Sequence, residues 1–488
     1  MAKPKPVQKA RPLRILMAGG EALPFASSGG LGDVLGSLPA ALKARLGDGV
    51  DVRVVMPLYG QVKPEWREKM TFIRAITVNL SWRQQYCGIF TLEKDGVTWY
   101  FIDNEFYFKR PTLYGCLDDG ERFAFFSLAV LELMREVEFY PDVLHAHDWQ
   151  SALSVIYLKR RYAQDPRYAG IRAVYTIHNI EYQGRYGFHI LGDVFGLGEE
   201  ERSVLEYDGD INLTKGAIVC CDRLTTVSRR YAEELRDAYF AHGLEHVTNR
   251  YAYKSTGIVN GIDTGYYNPA ADPDICAAFD VDHLAGKAAC KADLQQSLGL
   301  EVSPDTPMVA MITRLVAHKG LDLVRHVIDE LLERRMQFVL LGTGEKEYED
   351  FFRGLAARHP GKVAVVIDFN KPLSKRIYAG ADLFLMPSKS EPCGLAQMIA
   401  CRYGTLPIVR ETGGLFDTIV PANPVTAEGN GVTFVTYNAH DMKDAVERSL
   451  GYYSDRTLWA QLVRNAMTAD FSWNASAGNY ESLYRDLL

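Results

Sequence analysis

Residues 14–34 read RILMAGGEALPFASSGGLGDV: an apolar run, Arg14–Ala18, then a Gly-rich loop from Ala26 to Val34 that leads into an apolar helical stretch. A short buried strand feeding a glycine loop and then a helix is the unit from which parallel sheets covered on both faces are built. The unit recurs. Further strands are predicted at Val52–Met56, Thr98–Ile102, Val143–His147, Ala173–Ile177 and Leu224–Val227. After a Gly- and Asn-rich stretch, Thr256 to Asn268, the pattern restarts with Met308–Thr313, Phe338–Leu341, Val363–Ile367, Leu383–Met386 and Leu406–Val409. The fold class expected is α/β, with two doubly wound domains over residues 12–255 and 256–470, facing each other across a cleft. A terminal helix in 471–488 carries Tyr480, Leu483, Tyr484 and Leu487 on one stripe. Residues 1–11 read as a flexible, solvated tail.

Composition narrows the function. In 488 residues, 54 Lys+Arg against 61 Asp+Glu leave 54 − 61 = −7, so no broad cationic surface is available for nucleic acid or anionic lipid. The longest uncharged apolar stretch, Phe123 to Leu131, is far short of the ~20 residues that cross a bilayer. The N-terminal residues are basic, but the apolar segment of a signal peptide does not follow them. Eight cysteines without a CxxC pair fit neither a zinc site nor a disulfide framework, and a reducing cytoplasm is expected.

In open parallel sheets ligands bind beyond the carboxyl ends of the strands. The loop Ser27-Ser28-Gly29-Gly30-Leu31-Gly32-Asp33 offers close backbone approach and a helix N-terminus to a phosphate or a sugar, or is simply a tight turn. His145-Ala146-His147-Asp148-Trp149 and His178-Asn179 end two strands; a polar sugar-binding rim is favoured over a metal site, and Trp149 reads equally as core. In the second half, Arg314 and Lys319 stand five apart across a turn and form a candidate pyrophosphate clamp, against the alternative of two solvated charges. Ser390-Glu391-Pro392-Cys393-Gly394-Leu395 follows an apolar strand: Glu391 either meets sugar hydroxyls or caps a helix, and Cys393 is either inert or a thiol acidified by the helix N-terminus. A second such turn is Thr412-Gly413-Gly414-Leu415.

Taken together these segments resemble the glycogen and starch synthases, retaining glucosyltransferases that build α-1,4-glucan from a nucleotide-activated glucose. The resemblance rests on SSGGLGDV, HAHDW, TIHNIEYQG, VNGID, TRLVAHKG, SEPCGLAQ, YGTLPIVRETGGL and DFSW, in order over nearly the whole chain. It implies two Rossmann-like domains of the GT-B type, the acceptor glucan held mainly by the first and the nucleotide sugar by the second, with the final helix crossing back to the first. It places Glu391 and Cys393 beside the donor glucose, Arg314 and Lys319 on its diphosphate and His178 near the reacting centre. Asp148 and Asn260 fall in substrate-binding motifs, and Phe369 stands where an aromatic meets the nucleobase. ADP-glucose is the favoured donor and UDP-glucose the alternative. No cofactor or metal is implied.

Three departures stand out. Ser27 occupies the place of the family's usual lysine, so one donor contact is missing or supplied by another residue. Ala396 replaces a common Thr, and Ile399 stands where many other transferases of this fold carry a second Glu, which points toward the glycogen synthases. The rival readings are a catalytically weak or silent glucan-binding homologue, which Ser27 keeps open, and a related transferase with another acceptor.

Overall fold

The computed structural model describes residues 11–488. Of the predicted tail only Arg11 lies within them; its guanidinium donates to Asp142 Oδ1 at 2.6 Å. The chain divides into two compact units. One comprises the described residues up to Val227 together with Ala232–Ile258 and Trp473–Leu488; the other comprises Ser228–Tyr231 and Val259–Ser472.

The first unit is built on a nine-stranded sheet of β1 (Leu13–Ala18), β2 (Val50–Pro57), β3 (Thr71–Leu80), β4 (Arg83–Lys94), β5 (Val97–Asp103), β6 (Val143–His147), β7 (Arg172–Ile177), β8 (Arg223–Thr226) and β9 (Ser255–Gly257). Its order is β9-β8-β7-β6-β1-β2-β5-β4-β3. All neighbours pair parallel except β3 with β4 and β4 with β5. The parallel strands are the continuous apolar runs legible in the sequence, because helices cover both their faces. The β3–β4 ribbon was not predicted: along β3, Val78 and Leu80 point inward while Thr77 and Asn79 face solvent, so the edge reads as half polar. Between β1 and β6 the strand order reverses, and the chain ends leaving these two strands part to form a crevice.

The helix Trp473–Asp486 belongs to this unit. It buries Trp473, Ala477, Tyr480, Leu483 and Tyr484, the stripe expected from sequence without Leu487, which lies beyond the helix end. It packs on the helix Gly30–Leu46, where Arg45 donates to Glu481 Oε2 at 3.0 Å.

The second unit has an all-parallel six-stranded sheet of β10 (Met308–Ile312), β11 (Gln337–Leu341), β12 (Val363–Val366), β13 (Leu383–Met386), β14 (Leu406–Arg410) and β15 (Val432–Phe434). The order β12-β11-β10-β13-β14-β15 is the 3-2-1-4-5-6 winding of a dinucleotide-binding fold. Its switch point falls between β10 and β13, whose trailing loops carry Arg314, Lys319 and Glu391. Among the described residues no helix is long and apolar enough to cross a membrane.

Candidate active site

In the second unit, the loops after β10 and β13 are held together by their backbones. Lys389 N–H donates to the His318 carbonyl at 2.9 Å, and Gly320 lies so close to Pro387 that a Cβ there would sit 2.1 Å from its carbonyl oxygen. Gly320 also has φ +74°, a left-handed conformation that glycine adopts without strain. This approach brings Lys319 Nζ to 2.6 Å from Glu391 Oε2. The same carboxylate oxygen accepts the Ser388 hydroxyl at 3.0 Å. Arg410, at the end of β14, donates to the Lys389 carbonyl at 2.7 Å and so pins the loop from its other side. Arg314, in the loop after β10, is exposed. An ammonium has three donors, and the bond to Glu391 uses one of them.

Behind this pair the backbone is tightly packed. The Gly414 N–H donates to the Glu391 carbonyl at 3.1 Å, and a Cβ on Gly414 would meet the Cys393 carbonyl oxygen at 2.1 Å. In the turn at Thr412, Gly413 and Gly414, Gly414 thus directs its N–H onto the Glu391 segment and shapes it. Cys393 is buried, and burial pushes its thiol up to about 12, with the Asn260 backbone N–H directed at its sulfur. The acidified thiol considered from sequence is thereby corrected: the following helix begins only at Ala396, and desolvation outweighs its dipole. Gly394 and Leu395 link Cys393 to that helix, and Gln397 clamps the Cys393 and Gly394 carbonyls at 3.0 Å each. Phe369 is 80% exposed, between β12 and the helix Lys371–Gly380.

In the first unit, the candidate residues gather at the ends of β1, β6 and β7. The loop Ser27 to Gly32 is organised from within. The buried Glu21 carboxylate already accepts from Ser28 N–H (2.8 Å), Gly29 N–H (3.1 Å) and Gly32 N–H (3.1 Å), and from the Ser28 and Tyr114 hydroxyls. An internal carboxylate thus sets the shape of the loop. Ser27 and Gly30 are exposed at its rim, the Ser27 hydroxyl donating to the Gly29 carbonyl, and Asp33 lies half-buried in the first helical turn.

Asp148, at φ +56°, accepts the backbone N–H groups of His178 and Asn179, the first at 2.7 Å. Burial raises its carboxyl to about 7 in spite of these hydrogen bonds, with Glu21 adding to the rise. Asn179 Oδ1 closes the following turn onto Glu181 N–H at 3.0 Å. His178 Nε2 lies 3.0 Å from His147 Nδ1, and burial lowers His178 to about 3. Trp149 is core, edge-on to Phe123 at 5.2 Å.

Sequence reasoning missed Glu21, Ser388 and Arg410. Nothing local distinguishes a carboxylate that organises a loop seven residues on from a solvated one. Ser388 lies within the segment quoted from sequence, but its bond to Glu391 depends on the turn geometry.

Residues 14–250 match the family described as the starch synthase catalytic domain, and residues 298–466 the glycosyl transferases group 1. The glycogen synthase of Bacillus cereus is 48% identical over 478 residues, 98% of this chain and 100% of its own length. That of Geobacillus thermodenitrificans is 48% identical over 98% of each chain. Among solved structures, the catalytic domain of starch synthase IV from Arabidopsis thaliana, bound to ADP and acarbose, is similar with a TM-score of 0.89 at 36% identity, over 98% of this chain and 99% of that one. Sucrose-phosphate synthase from Thermosynechococcus elongatus, at TM-score 0.60 and 17% identity, shares the fold.

Two parallel-sheet α/β units, the second with a cation and carboxylate pair at its switch point, define a glycosyltransferase of the GT-B type. The chain belongs to the glycogen synthase and starch synthase family of retaining hexosyltransferases.

Proposed function

We propose that this chain transfers glucose from ADP-glucose to the non-reducing end of an α-1,4-glucan, the second unit binding the nucleotide sugar and the first the glucan. The observation that carries the reading is the Lys319–Glu391 pair, in the loops after β10 and β13 where the strand order reverses. Departure of a nucleoside diphosphate builds negative charge on the bridging oxygen while the anomeric carbon becomes cationic. A cation about 4 Å from that charge interacts by roughly 4 kcal/mol at an effective dielectric near 20, so Arg314 and Lys319 together supply a substantial share of the transition-state stabilisation.

Glu391 serves two ends. Its Oε2 orients the ammonium and holds the Ser388 hydroxyl, which leaves Oε1 for a hydroxyl of the glucose. Phe369, largely exposed, offers its face to the nucleobase, and the Glu391 to Leu395 turn, with Asn260 behind it, cradles the hexose. Asp148, Asn179 and the Ser27 to Asp33 loop bind sugar hydroxyls on the first unit. As the family resemblance implies, the acceptor attacks from the leaving-group side, the departing phosphate taking its proton. We place it in the cytoplasm, in keeping with eight free thiols among the described residues.

Radiolabelled ADP-glucose and UDP-glucose, each incubated with a malto-oligosaccharide, test the reading. Chain extension from ADP-glucose in preference to UDP-glucose is expected. Transfer from neither donor, with glucan binding retained, would replace it with a silent glucan-binding homologue.

A further inference from the structure

The ring nitrogens of three buried histidines carry an inference that deepens the reading above and rests on it. His145 and His147 close β6, and His178 follows β7. His145 is engaged at both nitrogens: Nδ1 lies 2.7 Å from the Tyr484 hydroxyl on the terminal helix, and Nε2 lies 2.6 Å from Thr176 Oγ1. Its ring stacks on that of His147 with centroids 4.0 Å apart and planes tilted by 31°. His147 Nδ1 in turn faces His178 Nε2 at 3.0 Å, while His147 Nε2 is buried without a hydrogen-bond partner.

Burial keeps all three rings neutral at neutral pH, so each carries one proton. Across the 3.0 Å contact one nitrogen holds the hydrogen and the other the lone pair. Were His178 Nε2 the donor, His147 would carry its proton on Nε2, an N–H buried with nothing to receive it. With His147 Nδ1 as donor, the unmatched atom is a lone pair instead. Orphaned buried N–H groups are the rarer defect in folded proteins, and the second arrangement is favoured. It commits His178 Nε2 as an acceptor and leaves the proton of His178 on Nδ1.

We propose that His147 is a positioning residue: its Nδ1–H donates to His178 Nε2 and fixes His178 as the Nδ1–H tautomer, so that His178 meets a sugar oxygen as a hydrogen-bond donor and not as a base. Asp148 holds the backbone of His178, and the Tyr484–His145 contact holds the plane of the stacked rings from the far side. A His178 so fixed takes no proton from the acceptor hydroxyl, in keeping with a departing phosphate that does.

The test uses the whole chain labelled with nitrogen-15 at histidine and read by long-range proton–nitrogen correlation at neutral pH, with His178→Gln serving only to assign the signals. A neutral His178 ring protonated on Nδ1 is expected. In His147→Ala the proton should redistribute over both His178 nitrogens and kcat should fall about tenfold, the worth of one hydrogen bond, with KM for the donor unchanged. His147→Asn, whose amide N–H reaches the place of Nδ1, should restore both. A His178 protonated on Nε2 in the unaltered chain, or a tautomer and kcat indifferent to His147→Ala, overturns the proposal. The spectrum of the unaltered chain needs no turnover, so it decides this question even if no donor supports transfer and the functional reading fails.

Discussion

Lys319 Nζ and Glu391 Oε2 lie 2.6 Å apart, with only 17% and 10% of their side chains exposed. Each group therefore meets the other before it meets substrate, and the pair presents a preset cation and an oriented carboxylate at one crevice. Removing one partner of such a pair leaves the other poorly compensated, so its energetic signature is asymmetric.

Lys319→Ala is expected to cut kcat by about 10² to 10³ with the chain still folded, as loss of one preorganised donor does. Initial rates with ADP-glucose, paired with a thermal melt, check it. Turnover at the parent level in a folded variant would remove Lys319 from the chemistry.

Ser388→Ala takes away the hydroxyl that shares Glu391 Oε2. One neutral-to-charged hydrogen bond is at stake, and a fall in kcat of about threefold to tenfold is expected. Steady-state kinetics on Ser388→Ala and Ser388→Thr decide it: the threonine, which keeps a hydroxyl, should retain most of the activity, and equal losses in both would assign the effect to packing.

Glu21→Ala leaves the N–H groups of Ser28 and Gly29 without their acceptor, while Gly32 N–H keeps the Gly29 carbonyl. A stability loss of about 1–3 kcal/mol is expected, together with a raised KM for malto-oligosaccharide. Urea unfolding measures the first and acceptor titration the second. A variant as stable as the parent would mean that water replaces the carboxylate at no cost.

The pH dependence of stability has two opposing parts in the first unit. Burial lowers His145 and His178 to about 3, and His147 well below its usual value, so their contributions are complete above the unfolded pKa of about 6.5 and are lost as the pH falls. Burial raises Asp148 to about 7, so its contribution is complete below about 4 and is lost as the pH rises toward 7. Acidification from about pH 7 to about pH 5 is expected to destabilise the chain, and more steeply in Asp148→Asn, which lacks the opposing part. Urea midpoints at the two pH values test this, and an equal or smaller drop in the variant counts against a raised Asp148.

Cys393, held protonated by burial with its pKa near 12, is expected to resist iodoacetamide at mildly alkaline pH until the chain unfolds. Peptide mass mapping after alkylation reads this directly. Rapid native labelling at Cys393 would show an accessible thiolate.

The amino-acid order by itself determined the strand, loop and helix periodicity of both units and, with it, which residues stand at the carboxyl ends of parallel strands. Those features are local: continuous apolar runs specify buried strands, and adjacent glycines mark the turns that follow. Motifs such as TRLVAHKG and SEPCGLAQ could therefore be placed before any fold was known. The β3–β4 ribbon escaped because one of its faces is wet and its pattern is diluted.

Only the tertiary structure decided what these residues touch. Lys319 and Glu391 are 72 positions apart, and His145 and Tyr484 are 339 apart. Their meeting depends on which strands are neighbours and on where the terminal helix docks. The same holds for Glu21, whose carboxylate takes N–H groups of the glycine loop, and for Cys393, whose acidity is governed by burial. Hydrogen-bond partners and desolvation are properties of a packed environment, and short-range sequence pattern does not encode them.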